Sequence, residues 1–160
     1  MNKFYIFNII FVLTIFPQVF AQGFITVTSP NGGESWQAGT TQVISWNDNL
    51  SENVKIELYK GGSFHSTISI STTSDGNRNW AIPLALASGS DYSIKITSVD
   101  STTVFDFSDA NFTIYPPVIT VTDPNGGENW IIGDSYLITW TDNIAESVEL
   151  QLYKGGSFYT

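Results

Sequence analysis

Short runs in which apolar and polar residues alternate dominate residues 25–115. Val54, Ile56 and Leu58 alternate with polar or amphipathic residues, so they would share one face of an extended strand. No window of comparable length has the apolar period of a helix, and Thr, Val and Ile, which favour strands, are abundant. The pattern predicts strands near residues 25–28, 42–46, 54–59, 66–71, 78–82, 92–97 and 104–114.

About seven short strands in a segment of this length are typical of an antiparallel β-sandwich of the immunoglobulin (Ig) or fibronectin type III kind. Trp46 would face inwards from an early strand and fill the space between the two sheets. Tyr92 opens a late strand after a corner that contains Leu86, an arrangement similar to the tyrosine corner of these folds. We therefore predict an all-β fold with Trp46 and Tyr92 in its core.

The chain repeats itself with a period of 94 residues, because PNGGESW at Pro30 returns as PNGGENW at Pro124. ITVT and LYKGGSF return at the same spacing, and Trp46 returns as Trp140, which we also assign to the core. Such a period suits tandem globular domains. We predict one complete sandwich at 22–115, a proline-rich linker at 116–118 and the N-terminal part of a truncated second copy at 119–160. The sequence would then belong to a longer protein or a truncated product.

The first residues differ in kind from the rest. Lys3 precedes a mainly apolar run, and Pro17 interrupts that run before it reaches the roughly 20 residues of a membrane-spanning helix. We predict a signal peptide at residues 1–21, cleaved after Ala21, and therefore a secreted or cell-surface protein with no membrane span after cleavage. Because the chain has no cysteine, the exported domain must draw its stability from its core and not from disulfides.

The balance of charge limits the partners. The chain has 15 acidic and 6 basic residues and a formal net charge of −9. Such a chain repels nucleic acid, and no basic cluster in the sequence reverses the repulsion. We therefore expect no nucleic acid partner, and we expect the partners to be an extracellular glycan or other domains of the same longer chain.

Several stretches together resemble a known family. They are ITVTSPNGGESWQAGTTQVISW, VKIELYKGG, NWAIP, SDYSIKITS and FSDANFTI. In this order they are similar to the N-terminal domain of yeast cell-wall synthesis proteins of the Kre/Knh type, also called the Ser-Thr-rich GPI-anchored membrane family. Bacterial secreted proteins carry similar domains in tandem. The resemblance implies an Ig-like sandwich on exported, often cell-surface proteins, and in fungi it implies a link to β-1,6-glucan assembly.

Four aromatic residues are candidates for glycan contact: Trp36 and Tyr59 in the first copy, and their counterparts Trp130 and Tyr153 in the second. An exposed ring offers a flat apolar surface to a sugar, while polar neighbours bond the hydroxyl groups. Each candidate also has a structural interpretation. The tryptophans would cover the open end of a sandwich after a tight Gly-Gly turn, and the tyrosines would pack against a neighbouring strand.

No catalytic residue is predicted, and we do not expect an enzyme. His65 is the single histidine and becomes Tyr159 in the second copy, and no G-x-S-x-G motif is present. One histidine and no cysteine exclude the usual zinc ligand sets. We predict no cofactor, with calcium as the alternative at two oxygen-rich loops, one with Asp106, Ser108, Asp109 and Asn111, the other with Asp48, Asn49 and Glu52.

These observations favour a non-catalytic extracellular or cell-surface module for display, spacing or adhesion in a larger secreted protein. Two alternatives stay open. The first is a carbohydrate-binding module for cell-wall glycan. The second is an accessory role in a secreted hydrolase whose catalytic domain lies beyond Thr160.

Overall fold

A computed structural model describes residues 22–159 of the chain, so the predicted signal peptide and its cleavage position lie outside the described residues. All regular elements in the described range are β-strands. The first copy forms two facing sheets. The smaller sheet contains β1 (Ile25–Ser29), β3 (Thr41–Asp48) and β6 (Asn77–Ala81), in the order β1-β3-β6 with antiparallel neighbours.

The larger sheet has the order β2-β9-β7-β4-β5, with β8 paired to β7 beside this path. Its strands are β2 (Ser35–Gln37), β4 (Val54–Lys60), β5 (Ser63–Thr72), β7 (Gly89–Ser98), β8 (Phe105–Phe107) and β9 (Phe112–Tyr115). All pairs are antiparallel except β2 with β9, which run parallel. The two sheets form an Ig-like sandwich, which confirms the predicted fold class.

The core lies between the inner faces of the two sheets, where the predicted alternation holds. Val54, Ile56 and Leu58 of β4 are buried, while the residues between them face outwards. Trp46 is 2% exposed and Tyr92 is fully buried, so both have the core positions predicted for them. Because every second residue of these strands leaves water, apolar burial is the main stabilising contribution to the fold.

Two features of the larger sheet differ from the prediction. Residues 104–114 were predicted as one strand, but the structure divides them into β8 and β9 around the segment 108–111. That segment leaves the ladder because it binds the loop at Pro30–Gly33. The short strand β2 was not predicted, because its partner β9 lies more than seventy residues away along the chain.

The second copy repeats the first pair of strands. Strands β10 (Ile119–Asp123) and β11 (Thr139–Asp142) pair with Ile119 opposite Asp142, as Ile25 lies opposite Asp48 in β1 and β3. Even the register shift before the last pair recurs. A hairpin of β12 (Tyr153–Lys154) and β13 (Ser157–Phe158) follows.

The core assignment of Trp140 needs correction. Its ring is 36% exposed, whereas Trp46 at the equivalent position is 2% exposed. Strands β10 and β11 form a two-stranded sheet that no described sheet faces, whereas β1 and β3 face the larger sheet of the first copy. The indole Nε1 still donates to Asp142 at 2.8 Å, so the local geometry is kept although the burial is lost.

Candidate functional site

Trp36, a candidate for glycan contact, lies inside the sandwich. Its ring is 9% exposed and packs against Trp80, with a centroid distance of 6.3 Å, and against Phe112, at 5.2 Å. Strand β2 holds it there by pairing with β9. The structure thus gives Trp36 a core position at one end of the sandwich, and its ring has no open face for a sugar. Its counterpart Trp130 is exposed and stacks on Tyr136 at 4.8 Å.

The repeated PNGGE segment forms a corner closed by its own acid. The carboxylate of Glu34 accepts hydrogen bonds from the backbone N–H groups of Asn31 and Gly32, each at 2.8 Å. Glu128 makes the same two bonds in the second copy, at 2.7 and 2.8 Å. The acid at this position is therefore part of the turn in both copies.

The electrostatics of the two acids agree with this role. Burial of Glu34 raises its pKa, but the backbone N–H groups of Asn31, Glu34 and Gly32 together outweigh burial and lower the pKa below 4.5. The N–H group of Asn125 is the main cause of the lowered pKa of Glu128. A carboxylate that accepts several N–H bonds is stabilised in its charged form.

In the first copy this corner is fastened to the segment between β8 and β9. Asn31 Nδ2 donates to Asp109 Oδ2, and Asn31 Oδ1 accepts from the backbone N–H of Asp109, both at 2.7 Å. Ser108 Oγ donates to the carbonyl of Pro30 at 2.6 Å. Gly32 has a φ of +128°, and a Cβ there would lie 2.6 Å from the Cβ of Ala110. The corner is a structural joint between distant parts of the sandwich.

Tyr59, the second candidate for glycan contact, belongs to a row of aromatic rings on the outer side of the larger sheet. Its ring meets Phe64 at 6.1 Å and Phe107 at 5.0 Å, and Phe107 meets Phe105 at 6.0 Å. The Nζ of Lys95 lies 4.4 Å from the ring centre of Phe105 and 5.3 Å from that of Phe107. We call this set, Tyr59, Phe64, Lys95, Phe105 and Phe107, the aromatic face.

The fourth candidate, Tyr153, repeats part of this arrangement. Its ring meets Phe158 at 6.0 Å across the hairpin of β12 and β13, as Tyr59 meets Phe64 across β4 and β5. Both rings of the second copy are exposed. Each tyrosine candidate therefore lies beside a phenylalanine, Tyr59 beside Phe64 and Tyr153 beside Phe158. The two tryptophan candidates are not part of these ring pairs. Sequence reasoning missed Phe64, whose recurrence as Phe158 was the available indication.

The oxygen-rich loops proposed as calcium sites use their oxygens within the protein. Asp106 accepts from the N–H of Val27 at 2.8 Å. Asp48 accepts from Trp46 Nε1 and Ser74 Oγ, both at 2.6 Å. Within residues 22–159, no group of three or more His, Cys, Asp or Glu side chains is arranged to hold a metal ion. These carboxylates act as caps and cross-links between strands.

A side-chain bracket joins the two copies. Asn143 Oδ1 accepts from the N–H of Val118 at 2.7 Å, and Asn143 Nδ2 donates to the carbonyl of Pro116 at 3.3 Å. Gln37 Nε2 of the first copy donates to Asn143 Oδ1 and to its carbonyl, each at 3.0 Å. Beside this bracket lies an open cleft of about 630 Å³, lined mainly by apolar residues such as Leu84, Pro117 and Ile144.

The comparisons with known proteins agree with this architecture. The family model described as the Kre9/KNH-like N-terminal Ig-like domain matches residues 29–114. The chain belongs to this family. This result confirms the resemblance seen in the sequence. Ig-like modules of this kind are generally non-catalytic and typically extracellular or on the cell surface.

One solved structure, of the fibronectin(III)-like modules of Clostridium thermocellum CbhA, is similar to this chain at 24% identity and a TM-score of 0.35. The match covers 74% of this chain and 61% of that chain, so this chain spans less than two thirds of that structure. Among curated proteins, none matches. In the part of the chain that the structure describes, no helix has the length and apolar character needed to cross a bilayer.

Proposed function

We propose that the chain is a non-catalytic extracellular module whose repeated domains space and display other parts of a larger protein. Three observations support this function: the family, the tandem repeat and the bracket between the copies. The aromatic, acidic and loop side chains described above pack, cap or cross-link strands. None of them forms a nucleophile with an adjacent base, the arrangement that nucleophilic acyl transfer uses.

The bracket at Asn143 is the observation that carries the proposal. A spacer must hold its domains at a defined separation, and a linker of free backbone would not do so. Here one asparagine bonds the linker on both sides of Pro117 and also reaches Gln37 of the preceding copy. Pro116 and Pro117 restrict the linker further, because each fixes its own φ and limits its predecessor.

The bracket is a property of the repeat. Asn49, at the equivalent position of the first copy, accepts from the N–H of Phe24 at 2.9 Å and donates to the carbonyl of Gln22 at 3.3 Å. Each copy thus fixes the chain that enters it, by the same side chain. What the second copy adds is the contact with Gln37. Copies joined in this way would follow one another at a constant geometry.

Nuclear magnetic relaxation of the backbone amides tests the spacing function. If the bracket is rigid, residues 25–115 and 119–159 tumble as one body on the nanosecond timescale. Gln37→Ala and Asn143→Ala should each release the second copy into faster local motion. Asn49→Ala is the matched control, because it opens an identical bracket that joins no pair of copies. Independent tumbling in the unaltered chain would refute a fixed spacing.

The extracellular part of the proposal has its own test. Fractionation of source cells, followed by immunodetection, should find the protein in the medium or on the cell surface, with a mass reduced by the loss of residues 1–21. Retention of the full-length chain in the cytoplasm would contradict it.

A further inference from the structure

The aromatic face occupies one continuous area of the larger sheet. The strand register places Lys95 of β7 between Glu57 of β4 and Phe107 of β8. Two residues further along β7, Thr97 lies opposite Phe105. Side chains that alternate along β4, β7 and β8 therefore reach the same outer surface. Phe64 is 56% exposed and Phe105 is 46% exposed, so the two ends of the row present rings to solvent.

The charge of this area differs from that of the chain. The net charge of the chain is −9, yet the outward residues that β4 and β7 place beside β8 include Lys55 and Lys95 with one acid, Glu57. The next acid on this side of β7, Asp91, pairs with Lys60 at 2.6 Å. Glu57 pairs with Lys55 at 2.9 Å. Among residues 22–159 the ion pairs are Lys55–Glu57 and Lys60–Asp91, which leave Lys95 with no carboxylate partner in that range. Its ammonium group rests on two aromatic rings instead.

The orientation of the rings limits the shape of a ligand. Neighbouring rings meet at 84° for Tyr59 with Phe64, at 78° for Tyr59 with Phe107, and at 88° for Phe105 with Phe107. Rings set edge to face do not form one flat platform, so they do not fit the flat surface of a crystalline polymer. A single flexible chain can instead lay separate units against separate rings.

We propose that the aromatic face binds a single chain of an acidic polysaccharide, one that carries uronic acid carboxylates. Lys95 would pair with a carboxylate, and Phe64 and Phe105 would take the apolar faces of neighbouring sugar rings. The negative faces of aromatic rings attract the weakly positive C–H groups of a sugar, and burying such rings is favourable. We choose an acidic polysaccharide as the ligand because its negative charge complements the locally positive surface. The proposal rests on the extracellular placement given above, where such polymers occur.

The second copy supplies a comparison within the same chain. It keeps the ring pair as Tyr153 and Phe158, but Glu149 stands where the first copy has Lys55. Carboxylates would repel one another there. We therefore expect the acidic polysaccharide to bind at the first copy, and substitutions in the second copy serve as matched controls.

Affinity electrophoresis of the full chain through gels containing polygalacturonate measures the interaction, with a neutral β-glucan gel in parallel. The unaltered chain should be retarded by polygalacturonate and run freely in β-glucan. Lys95→Gln should weaken retardation about tenfold, the size of one partly exposed charged contact, and Lys95→Arg should keep it. Phe64→Ala and Phe105→Ala should weaken it by a similar factor, and Phe158→Ala should leave it unchanged. About 0.5 M sodium chloride should weaken it strongly.

Circular dichroism of each variant separates loss of binding from loss of folding, and Lys95→Arg, which keeps a cation over the two rings, controls for the ring contact that Lys95→Gln removes. Retardation that is equal in neutral glucan, or unchanged by Lys95→Gln, would overturn the proposal. Absence of retardation would also overturn it. The relaxation test of the bracket does not involve these residues. A negative result in affinity electrophoresis therefore does not contradict the spacing function, and a negative result in the relaxation test does not contradict the binding of an acidic polysaccharide.

Discussion

The hydroxyl group of Tyr92 offers a sharp test of how the sandwich is held together. Tyr92 is fully buried, and its Oη donates to the carbonyl of Ala87 at 2.6 Å. The bond ties the segment before β7 to the core. The substitution Tyr92→Phe removes this bond and the smaller interaction of the hydroxyl group with Lys60, while the ring keeps its contact with Phe112 and its position under the Lys60 ammonium group.

The expected loss in the free energy of unfolding depends on the surroundings of the donor, Tyr92, and of the acceptor, Ala87. Loss of a hydrogen bond that leaves a buried group without a partner costs about 1–3 kcal/mol. Ala87 itself is exposed, so its carbonyl can turn towards water after the substitution. We therefore expect a loss of about 1–2 kcal/mol in the free energy of unfolding, in the lower part of that range.

Urea unfolding followed by tryptophan fluorescence measures this loss, since Trp36, Trp46 and Trp80 are buried in the first copy. With a slope of about 2 kcal/mol per molar urea, the midpoint should fall by roughly 0.5–1 M while the slope stays constant. Tyr59→Phe, which removes a hydroxyl from the outer surface, is the control and should shift the midpoint little. A loss below about 0.5 kcal/mol in Tyr92→Phe, within the range of an ordinary surface substitution, would refute the anchoring role of the bond.

Two further predictions concern the PNGGE corner. Gly32→Ala should destabilise the first copy by about 2 kcal/mol or more, because a side chain there is strained at φ +128° and collides with Ala110; Gly33→Ala, with free space around it, should cost less in the same urea assay. Glu34→Gln should lower stability at pH 7. Because the folded pKa of Glu34 lies below 4.5, its contribution is complete above that pH and is lost as the pH falls through the folded pKa. The difference between Glu34→Gln and the unaltered chain, measured by unfolding from pH 7 to pH 3, should therefore shrink with acidity; a constant difference would contradict this origin.

Much of the fold could be predicted because its determinants are local. Alternation along β4 and β7 identifies strands and their inner faces from a few adjacent residues. Trp46 was placed in the core as a large inward-facing residue of an early strand, and Tyr92 was placed there from its position after the corner that opens a late strand. The repeat made these interpretations firmer, since the same alternation occurs twice.

Features that depend on contacts between distant residues could not be predicted from the sequence. The break between β8 and β9 exists because Asn31 bonds Asp109, and no local pattern near 108–111 records that contact. For Trp36 the sequence left both a covered and an exposed ring open, and contact with the distant Trp80 and Phe112 decides for the covered one. A tryptophan after a glycine turn looks the same in sequence whether a second sheet covers it or solvent does.

The aromatic face shows the same limit at the candidate site. Tyr59 was identified from its position opposite the inner face of its strand. Phe64 lies near it in sequence and could have been included from its recurrence as Phe158. Lys95 and Phe105 come from β7 and β8, and only the register of the sheet brings them beside Tyr59. A site assembled across strands needs the strand order, which alternation alone does not supply.

The two copies separate what a local sequence encodes from what its surroundings add. Glu128 closes its corner with the same two bonds as Glu34, although the second copy has no described counterpart of Asp109 to fasten that corner. Trp140 likewise bonds Asp142 as Trp46 bonds Asp48, yet its ring is exposed. The turn and the first strand pair therefore form from their own residues, and burial follows when an opposing sheet is present. The recurrence of PNGGE reports a requirement of the turn itself, so its acid should matter in each copy independently of any ligand.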